Sequence, residues 1–184
     1  HYWGFEETSS NYAYDSFGNN PAKLFGDATT VANGKVGRAL KLDGNGDWGD
    51  ISNLNLKDFT IEFWVNLDPG LGNQDGVVGQ EKTGWGQDIN FYAGRFRLWT
   101  PGKNVAEASV PTTAGKWEYW AITHSGTELK LYRDGIHKKT ESWVGSFIPQ
   151  AIGRGAAGFY GGLIDELAIY NKALSENEIR KHYE

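Results

Sequence analysis

A carboxylate interrupts the apolar pattern of the segment GGLIDELAIYNKALSENEI, residues 161–179. Strand alternation would place Asp165 on one face with three aliphatic residues, Leu163, Leu167 and Ile169. An ionised carboxylate that is removed from water without a partner is very costly, so such a group keeps water, changes its protonation or binds a partner. Two interpretations follow. Asp165 lies at the rim of a sheet and accepts backbone N–H groups, or it binds a structural cation.

A second segment with possible chemistry is QEKTGWGQDINFYAGRFRLWT, residues 80–100, which combines aromatic rings with planar polar groups. This mixture suits a sugar, because aromatic faces cover the apolar side of a pyranose and polar groups satisfy its hydroxyls. If Ile, Leu and Phe point inward, Asn90, Tyr92, Arg97 and Trp99 point outward on one hairpin. The predicted carbohydrate-binding residues are Glu62, Gln80, Trp85, Gln87, Asn90, Tyr92, Arg97 and Trp99.

Structural roles compete with binding for several of these residues. Arg97 could be a solvated strand residue, as most exposed arginines are. Glu62 shares a strand face with Trp64, so it could line a groove or form a structural pair. Trp85, which stands between two glycines, and Trp99 are the tryptophans that a core explains least well. The tryptophans assigned to the core are Trp64, Trp117 and Trp120.

Catalysis by a glycosidase needs two carboxyl groups roughly 5–10 Å apart at one scissile bond. Glu62 and Glu118 each stand alone on a predicted strand, and alternation sends the adjacent Asp165 and Glu166 to opposite faces. The Arg pair of RFRLWT lacks the Glu of a jelly-roll lyase strand, and the chain has no HExxH or GxSxG pattern. The sequence therefore predicts no catalytic residues and a module that is not an enzyme.

Composition limits the remaining classes of protein. The 184 residues suffice for one domain with a full core, and 25 glycines with 14% aromatic residues favour an all-β protein. The net charge of −5 argues against a nucleic-acid partner, and no apolar run is long enough for a membrane span. The absence of cysteine removes disulfides and thiolate metal sites. Because the chain starts at His1 without a Met, we interpret residues 1–184 as a single module cut from a longer protein.

Short strands at regular spacing would position these residues. FTIEFWVNLD, residues 59–68, alternates between two faces, and GVVGQEK, DINFYAG, RFRLWT, KWEYWAITHSG and ELKLYRDG follow it. Residues 8–33 are predicted to form a long ordered loop, and a short strand is predicted at 39–42. This rhythm predicts an antiparallel sandwich of two sheets. Ser175 and Glu178 form a capping-box pattern that begins a short C-terminal helix.

Five motifs occur in the order of a known family: WGFEE, GRALKLDGNGDW, FTIEFWVNLD, KWEYWAITHSGTELKLYRDG and IGRGAAGFYGGLIDELAIYNKALSENEI. Over nearly its whole length the chain resembles the laminin-G-like, concanavalin A-like jelly-roll modules found beside secreted carbohydrate-active enzymes. The resemblance implies an all-β, two-sheet jelly roll. It also implies a structural calcium ion (Ca²⁺) near Asp165, with Glu6 and Asp43 as further ligands. Glu7 competes with Glu6, because alternation alone does not decide which of them faces the ion.

These observations predict a non-catalytic carbohydrate-binding module that targets an attached enzyme to a polysaccharide. The expected partners are a polysaccharide or oligosaccharide and a neighbouring catalytic domain, and the module is expected to be secreted and monomeric. The alternatives are a laminin-G-type protein-interaction or adhesion domain and a structural domain of a surface protein. Two outward arginines would suit acidic or sulfated glycans, whereas the negative net charge opposes a strong general preference for them.

Overall fold

A computed structural model of the chain describes residues 1–70, 73–80, 86–108, 112–156 and 158–184, without the side chains of 73–75. The strands and the helix in these ranges are β1 (Tyr2–Trp3), β2 (Tyr12–Ala13), β3 (Ala22–Phe25), β4 (Thr29–Val31), β5 (Ala39–Asp43), β6 (Trp48–Asp50), β7 (Phe59–Leu67), β8 (Asn73–Gly79), β9 (Asp88–Tyr92), β10 (Arg95–Thr100), β11 (Lys103–Ala108), β12 (Trp117–Ser125), β13 (Glu128–Arg133), β14 (Ile136–Ser142), β15 (Ala151–Ile152), β16 (Gly161–Tyr170) and α1 (Glu176–Tyr183). None of the described residues belongs to a helix long and apolar enough to cross a membrane.

The described strands pair into two eight-stranded antiparallel sheets. The first sheet has the order β14-β13-β12-β7-β16-β5-β4, with β1 paired to β16. The second sheet has the order β11-β10-β9-β8-β15-β6-β3-β2. Neighbours in both sheets come from distant parts of the sequence, and the architecture is the predicted jelly-roll sandwich.

The core lies between the two sheets and is rich in aromatic rings. Phe63 of β7 packs edge-on against Phe96 of β10, with ring centroids 5.9 Å apart. Trp120 of β12 is fully buried and lies 4.5 Å from the Phe96 ring. Alternation in β7 explains this arrangement, because it turns Phe59, Ile61, Phe63 and Val65 toward the second sheet. The predicted inner face of FTIEFWVNLD is therefore confirmed.

Helix α1 begins where the sequence predicts it. The Ser175 hydroxyl accepts a hydrogen bond from the Glu178 backbone N–H, and the Glu178 carboxylate accepts one from the Ser175 N–H. This reciprocal pair satisfies two backbone donors that a helix start leaves free. Ile179 is fully buried against the outer face of the first sheet, so the helix covers part of that sheet.

A β-bulge in β16 changes which face Asp165 occupies. Asp165 pairs with Trp64 of β7, whereas Ala168 pairs with Glu62, so β16 has one more residue than its partner between these pairs. Glu166 takes up the difference with a positive φ of 53°. Leu167 therefore points into the core while Asp165 shares the outer face with Trp64. The prediction that Asp165 shares a face with Leu167 and Ile169 is wrong, because simple alternation stops at the bulge.

The sequence also misses several short elements. Residues 8–33, predicted as a loop, contain the strands β2, β3 and β4. Strands β11 and β14 were not predicted, and both lie at the edge of a sheet with several exposed side chains. Edge strands of this kind have a weak hydrophobic pattern, because only part of one face is buried.

Candidate functional site

The hairpin of β9 and β10 forms part of the second sheet. Its cross-strand pairs include Asn90 with Arg97 and Asp88 with Trp99. The side chains that enter the core from this hairpin are Ile89, Phe91, Phe96 and Leu98. Alternation consequently places Asn90, Tyr92, Arg97 and Trp99 on the outer face of the sheet, as the sequence predicts. We call this surface, together with Asn104 of β11, the arginine face.

Arg97 is the centre of the arginine face. Its Nε donates to Asn90 Oδ1 and its Nη1 to Asn104 Oδ1, each at 2.8 Å. The guanidinium carbon lies 4.1 Å from the centroid of the Tyr92 ring, within range of a cation–π contact. Burial lowers the pKa of Arg97, against the opposing effect of Asp88 and Glu107. An arginine nevertheless keeps its charge at any physiological pH, so the face carries a fixed, oriented cation.

Asp88 supports this arrangement from the same face of the sheet as Asn90, and sequence reasoning missed it. The side chain is buried, and its two oxygens accept hydrogen bonds from Asn90 Nδ2 at 2.8 Å and from the Ala156 backbone N–H at 3.1 Å. Burial raises the pKa of Asp88 above its ordinary value, although both hydrogen bonds oppose that effect. Asp88 therefore orients Asn90, which in turn orients Arg97. The sequence signal for this role was the position of Asp88 two residues before Asn90, which places both side chains on the same strand face.

A loop around Ala156 crosses the outer face beside Asp88. Gly76 of β8 and Gly155 of the loop lie so close that a Cβ added at Gly76 would strike the Gly155 backbone. The contact explains why the sheet has a glycine here, because only a residue without a side chain permits this approach. Gly155 and Ala156 lie against Asp88 and help to keep it away from water.

The predicted residues Gln80 and Gln87 lie beside this hairpin but are used internally. The Gln87 backbone N–H donates to Gln80 Oε1 at 3.0 Å. The Gln87 side chain donates to the Ser146 carbonyl at 2.9 Å and accepts from the Ile148 N–H at 3.2 Å. Both ends of its amide are thus occupied by the neighbouring segment. Trp85, also predicted to bind sugar, lies outside the described residues.

Glu62, in contrast, belongs to the first sheet and not to the arginine face. Its carboxylate accepts hydrogen bonds from Tyr119 Oη at 2.7 Å and Tyr170 Oη at 3.1 Å, and contacts His182 Nδ1 at 2.8 Å. The prediction that Glu62 joins the other residues in one site is wrong, because β7 and β10 lie in different sheets. It instead lines a cavity, here called the tyrosine pocket, formed by Tyr2, Glu62, Trp64, Tyr119, Glu166, Ala168, Tyr170 and His182.

An aromatic cluster that the sequence analysis did not assign lies farther along the outer face of the second sheet. The rings of Phe25 and Trp48, a cross-strand pair, stack with centroids 4.8 Å apart. The Arg154 guanidinium lies 5.3 Å from the Trp48 ring and 5.0 Å from that of Phe159. The loop that lies against Asp88 thus contributes a second arginine to this face. Local alternation in WGD was too short a pattern to reveal the cluster.

The proposed calcium ligands are not all brought together. Asp43 pairs with Gly161, four residues before Asp165, and at about 3.3 Å per strand residue this separation is about 13 Å. Two ligands of one calcium ion lie much closer than this, because each is roughly 2.4 Å from the metal. The assignment of Asp43 to an ion shared with Asp165 is therefore wrong.

Glu6 and Asp165 do converge on one loop. Asp165 Oδ2 accepts from the Val36 N–H at 3.0 Å and Oδ1 from the Glu166 N–H at 2.8 Å, while Glu6 Oε1 accepts from the Arg38 N–H at 2.9 Å. Glu7 Oε2 is buried nearby without a hydrogen bond from any described residue. Among the described residues, however, no group of three or more His, Cys, Asp or Glu side chains could hold a metal ion.

Backbone N–H donors, rather than the predicted calcium ligands Glu6 and Asp43, surround the Asp165 carboxylate. Asp165 is fully buried, and burial raises its pKa from the ordinary 3.8 to about 7, against the opposing effect of the backbone hydrogen bonds. A calcium ion at Asp165 would have to replace the N–H donors of the Val36 loop with oxygen ligands. Calcium at this position therefore stays a prediction.

A family model decides the relationship of the chain to known proteins. The Laminin_G_3 model, described as the concanavalin A-like lectin/glucanases superfamily, matches residues 42–180. The chain belongs to this superfamily. No curated protein sequence matches this chain significantly.

Solved structures share the fold of this concanavalin A-like chain at low sequence identity. Domain 4 of AbnA, a GH43 extracellular arabinanase from Geobacillus stearothermophilus solved with arabinotriose, has a TM-score of 0.83 and 19% identity, and the match covers 100% of this chain and 97% of that one. A Trypanosoma rangeli sialidase solved with 2,3-difluorosialic acid has a TM-score of 0.73 and 15% identity, with 99% and 32% covered.

The receptor-binding domain of botulinum neurotoxin mosaic serotype C/D has a TM-score of 0.72 and 17% identity, with 99% of this chain and 49% of that chain covered. This concanavalin A-like chain therefore spans about a third of the sialidase and about half of the toxin domain. At such identities the likeness shows the fold, and function must come from the site.

Proposed function

We propose that the chain is a non-catalytic carbohydrate-binding module and that its ligand lies on the arginine face. The observation that carries this proposal is the arrangement of Arg97, which stacks on Tyr92 and is held by the amide oxygens of Asn90 and Asn104. Both of these acceptors are neutral. Among the described residues, no carboxylate forms an ion pair with Arg97, so its charge is available to a ligand.

The surroundings of Arg97 match the two kinds of contact that a sugar needs. Tyr92 is 39% exposed and Trp99 is half-buried, so aromatic surface is present beside the guanidinium. Aromatic faces cover the apolar C–H surface of a sugar ring, while amides and guanidinium groups bond its hydroxyls. A carboxylate or sulfate on the glycan would gain a charge-assisted bond to Arg97, which favours acidic glycans over neutral ones.

The carboxylates on the arginine face support a binding role rather than catalysis. Asp88 is buried and accepts hydrogen bonds from Asn90 and the Ala156 N–H. Glu107 pairs with Arg95 at 2.7 Å. A glycosidase needs one carboxyl group as an acid and another as a base or nucleophile at a single bond. Asp88 and Glu107 have structural partners instead.

Similarity to domain 4 of an extracellular arabinanase, solved with a bound oligosaccharide, supports the role of a module beside a catalytic domain. By this proposal the module is a secreted monomer that holds a neighbouring catalytic domain against a polysaccharide. Because the similar domain was solved with arabinotriose, arabinan belongs among the first ligands to test. Weak binding is sufficient for such a role, since attachment to the enzyme raises the effective concentration of polysaccharide.

Affinity electrophoresis across neutral, uronic-acid and sulfated polysaccharides, with arabinan included, tests the proposal. At least one polysaccharide should retard the wild-type chain, and Arg97→Ala should abolish most of that retardation. Arg95→Ala is the matched control, because Arg95 lies on the same strand but pairs with Glu107. No retardation by any member of the panel, equal effects of the two variants, or release of reducing ends from a bound polysaccharide would contradict the proposal.

A further inference from the structure

The tyrosine pocket lies on the outer face of the first sheet, on the opposite side of the sandwich from the arginine face. Its volume is about 250 Å³. Sites for drug-sized ligands are roughly 300–1,000 Å³, so this cavity suits an occupant about as large as one monosaccharide. Strands β1, β7, β12 and β16 and helix α1 form its walls. The proposed function uses none of its side chains.

Three tyrosine hydroxyls in this pocket are committed as hydrogen-bond donors. Tyr119 and Tyr170 donate to the two oxygens of Glu62, and Tyr2 donates to Glu166 Oε1 at 2.6 Å. Burial, followed by the neighbouring carboxylates, raises the pKa of each of these tyrosines, so the hydroxyls keep their protons. A hydroxyl has only one proton to donate. A ligand in the pocket can therefore contact these tyrosines only as a donor to the lone pairs of the hydroxyl oxygens.

The other groups that line the tyrosine pocket also favour a ligand that donates hydrogen bonds. Glu62 and Glu166 both line the cavity, but the Glu62 oxygens already accept from Tyr119 and Tyr170 and contact His182, so Glu166 is the carboxylate left to an occupant. Glu166 Oε2 accepts no hydrogen bond from the described residues, so it remains open to a ligand.

Aromatic rings supply most of the remaining wall, and aromatic faces attract cations, although the Trp64 ring also stacks on Tyr183 and the Tyr170 ring on His182. The chain itself shows this attraction, because the Lys35 ammonium lies 4.0 Å from the centroid of the Trp64 ring.

We propose that the tyrosine pocket is a second ligand site that binds a protonated amino sugar, an unacetylated hexosamine residue. The ammonium group would donate to Glu166 and the tyrosine oxygens, while the ring hydroxyls would donate to the remaining lone pairs. A neutral sugar offers no charge to Glu166, and an N-acetylated sugar replaces the ammonium with a bulkier neutral amide. The site rests on its own geometry and is independent of the arginine face.

An NMR titration of the whole chain with glucosamine hydrochloride tests this proposal. The backbone amides of residues 62, 119 and 166 and the Trp64 indole N–H report on the tyrosine pocket, while the amides of residues 90 and 97 report on the arginine face. Glucosamine should shift the first set in a saturable manner and leave the second set unchanged. Glucose and N-acetylglucosamine should bind at least about tenfold more weakly, because each lacks the charged hydrogen bond.

Two substitutions should change glucosamine binding in opposite directions. Glu166→Gln removes a carboxylate charge while keeping an acceptor for Tyr2, and it should weaken binding about tenfold or more. Lys35→Met removes the competing cation beside Trp64, so it should tighten binding. Glu128→Gln is the matched control, since Glu128 lies on the same sheet but pairs with Lys130 at 2.6 Å. It should bind like the wild type.

Several results would overturn the proposal. These are the absence of saturable shifts at the pocket, equal affinity for glucose, or unchanged affinity in Glu166→Gln. N-α-acetyl-lysine amide serves as a probe for a protein partner, and tighter binding of this probe than of glucosamine would assign the pocket to lysine side chains instead. Loss of polysaccharide binding in Arg97→Ala would leave the glucosamine titration unchanged, so failure of one site is distinguishable from failure of the other.

Discussion

Asp165 Oδ2 accepts a hydrogen bond from the Val36 backbone N–H at 3.0 Å, and this contact joins strand β16 to the loop before β5. The two residues are 129 positions apart in the sequence. Asp165 is fully buried at this contact and its pKa is raised to about 7. The ionisation of one carboxylate is therefore coupled to the attachment of this loop.

The raised pKa of Asp165 predicts a specific dependence of stability on pH. Between about pH 4 and pH 7 the folded chain keeps a proton on Asp165 that the unfolded chain has lost, so the contribution of Asp165 to stability falls as the pH rises. Urea unfolding in the presence of EDTA should show that the stability difference between wild type and Asp165→Asn decreases across this range. A difference that stays constant or grows with pH would contradict the assignment.

If calcium binds at Asp165, it should reverse this pH dependence of stability, because a metal ion binds the ionised carboxylate. Chelation should lower the melting temperature at pH 7.5, and added calcium should restore it, with a smaller effect at pH 5. Asp165→Ala should be less stable and should lose most of the response. Asp43→Ala should keep the response, since Asp43 lies far along the strand. An unchanged melting curve after chelation, with no metal by elemental analysis, would show that backbone donors alone satisfy Asp165.

Features with a local cause were predictable from the sequence. The alternation of β7 identified its core face, and Ser175 with Glu178 located the start of α1 to the residue. The outward positions of Asn90 and Arg97 also followed from alternation within one hairpin. Each of these depends on neighbours a few residues apart, for which sequence patterns are informative.

Features that depend on strand order or on backbone irregularity were not predictable. Glu62 and Arg97 were both predicted to bind the carbohydrate, yet their strands belong to different sheets. The bulge at Glu166 reversed the face of Asp165, and nothing in the local pattern marks a non-glycine residue with positive φ. Strand order is set by long-range packing, which a single sequence does not display.

Gln87 should behave as a structural residue rather than as a sugar ligand. Its side-chain amide bonds the Ser146 carbonyl and the Ile148 N–H, so Gln87→Ala would leave both without this partner. The expected loss of stability is about 1–3 kcal/mol, measured by urea unfolding. Asn104→Ala is the comparison, since Asn104 contacts Arg97 on an exposed surface and should reduce binding with little loss of stability. Equal stability of Gln87→Ala and wild type, with weakened binding, would return Gln87 to the site.

Trp99 and Trp120 should respond differently to truncation, because Trp99 is half-buried on the outer face and Trp120 is fully buried between the sheets. If a sugar ring stacks on Trp99, Trp99→Ala should weaken binding by about 1–3 kcal/mol, by analogy with stacking onto nucleobases, and leave the chain folded. Trp120→Ala should instead cost about 3–5 kcal/mol of stability. Urea unfolding and binding isotherms on both variants separate these effects. A folded Trp99→Ala variant that binds the best polysaccharide as tightly as wild type would remove Trp99 from the site, and a loss of several kcal/mol of stability would show that its main role is packing.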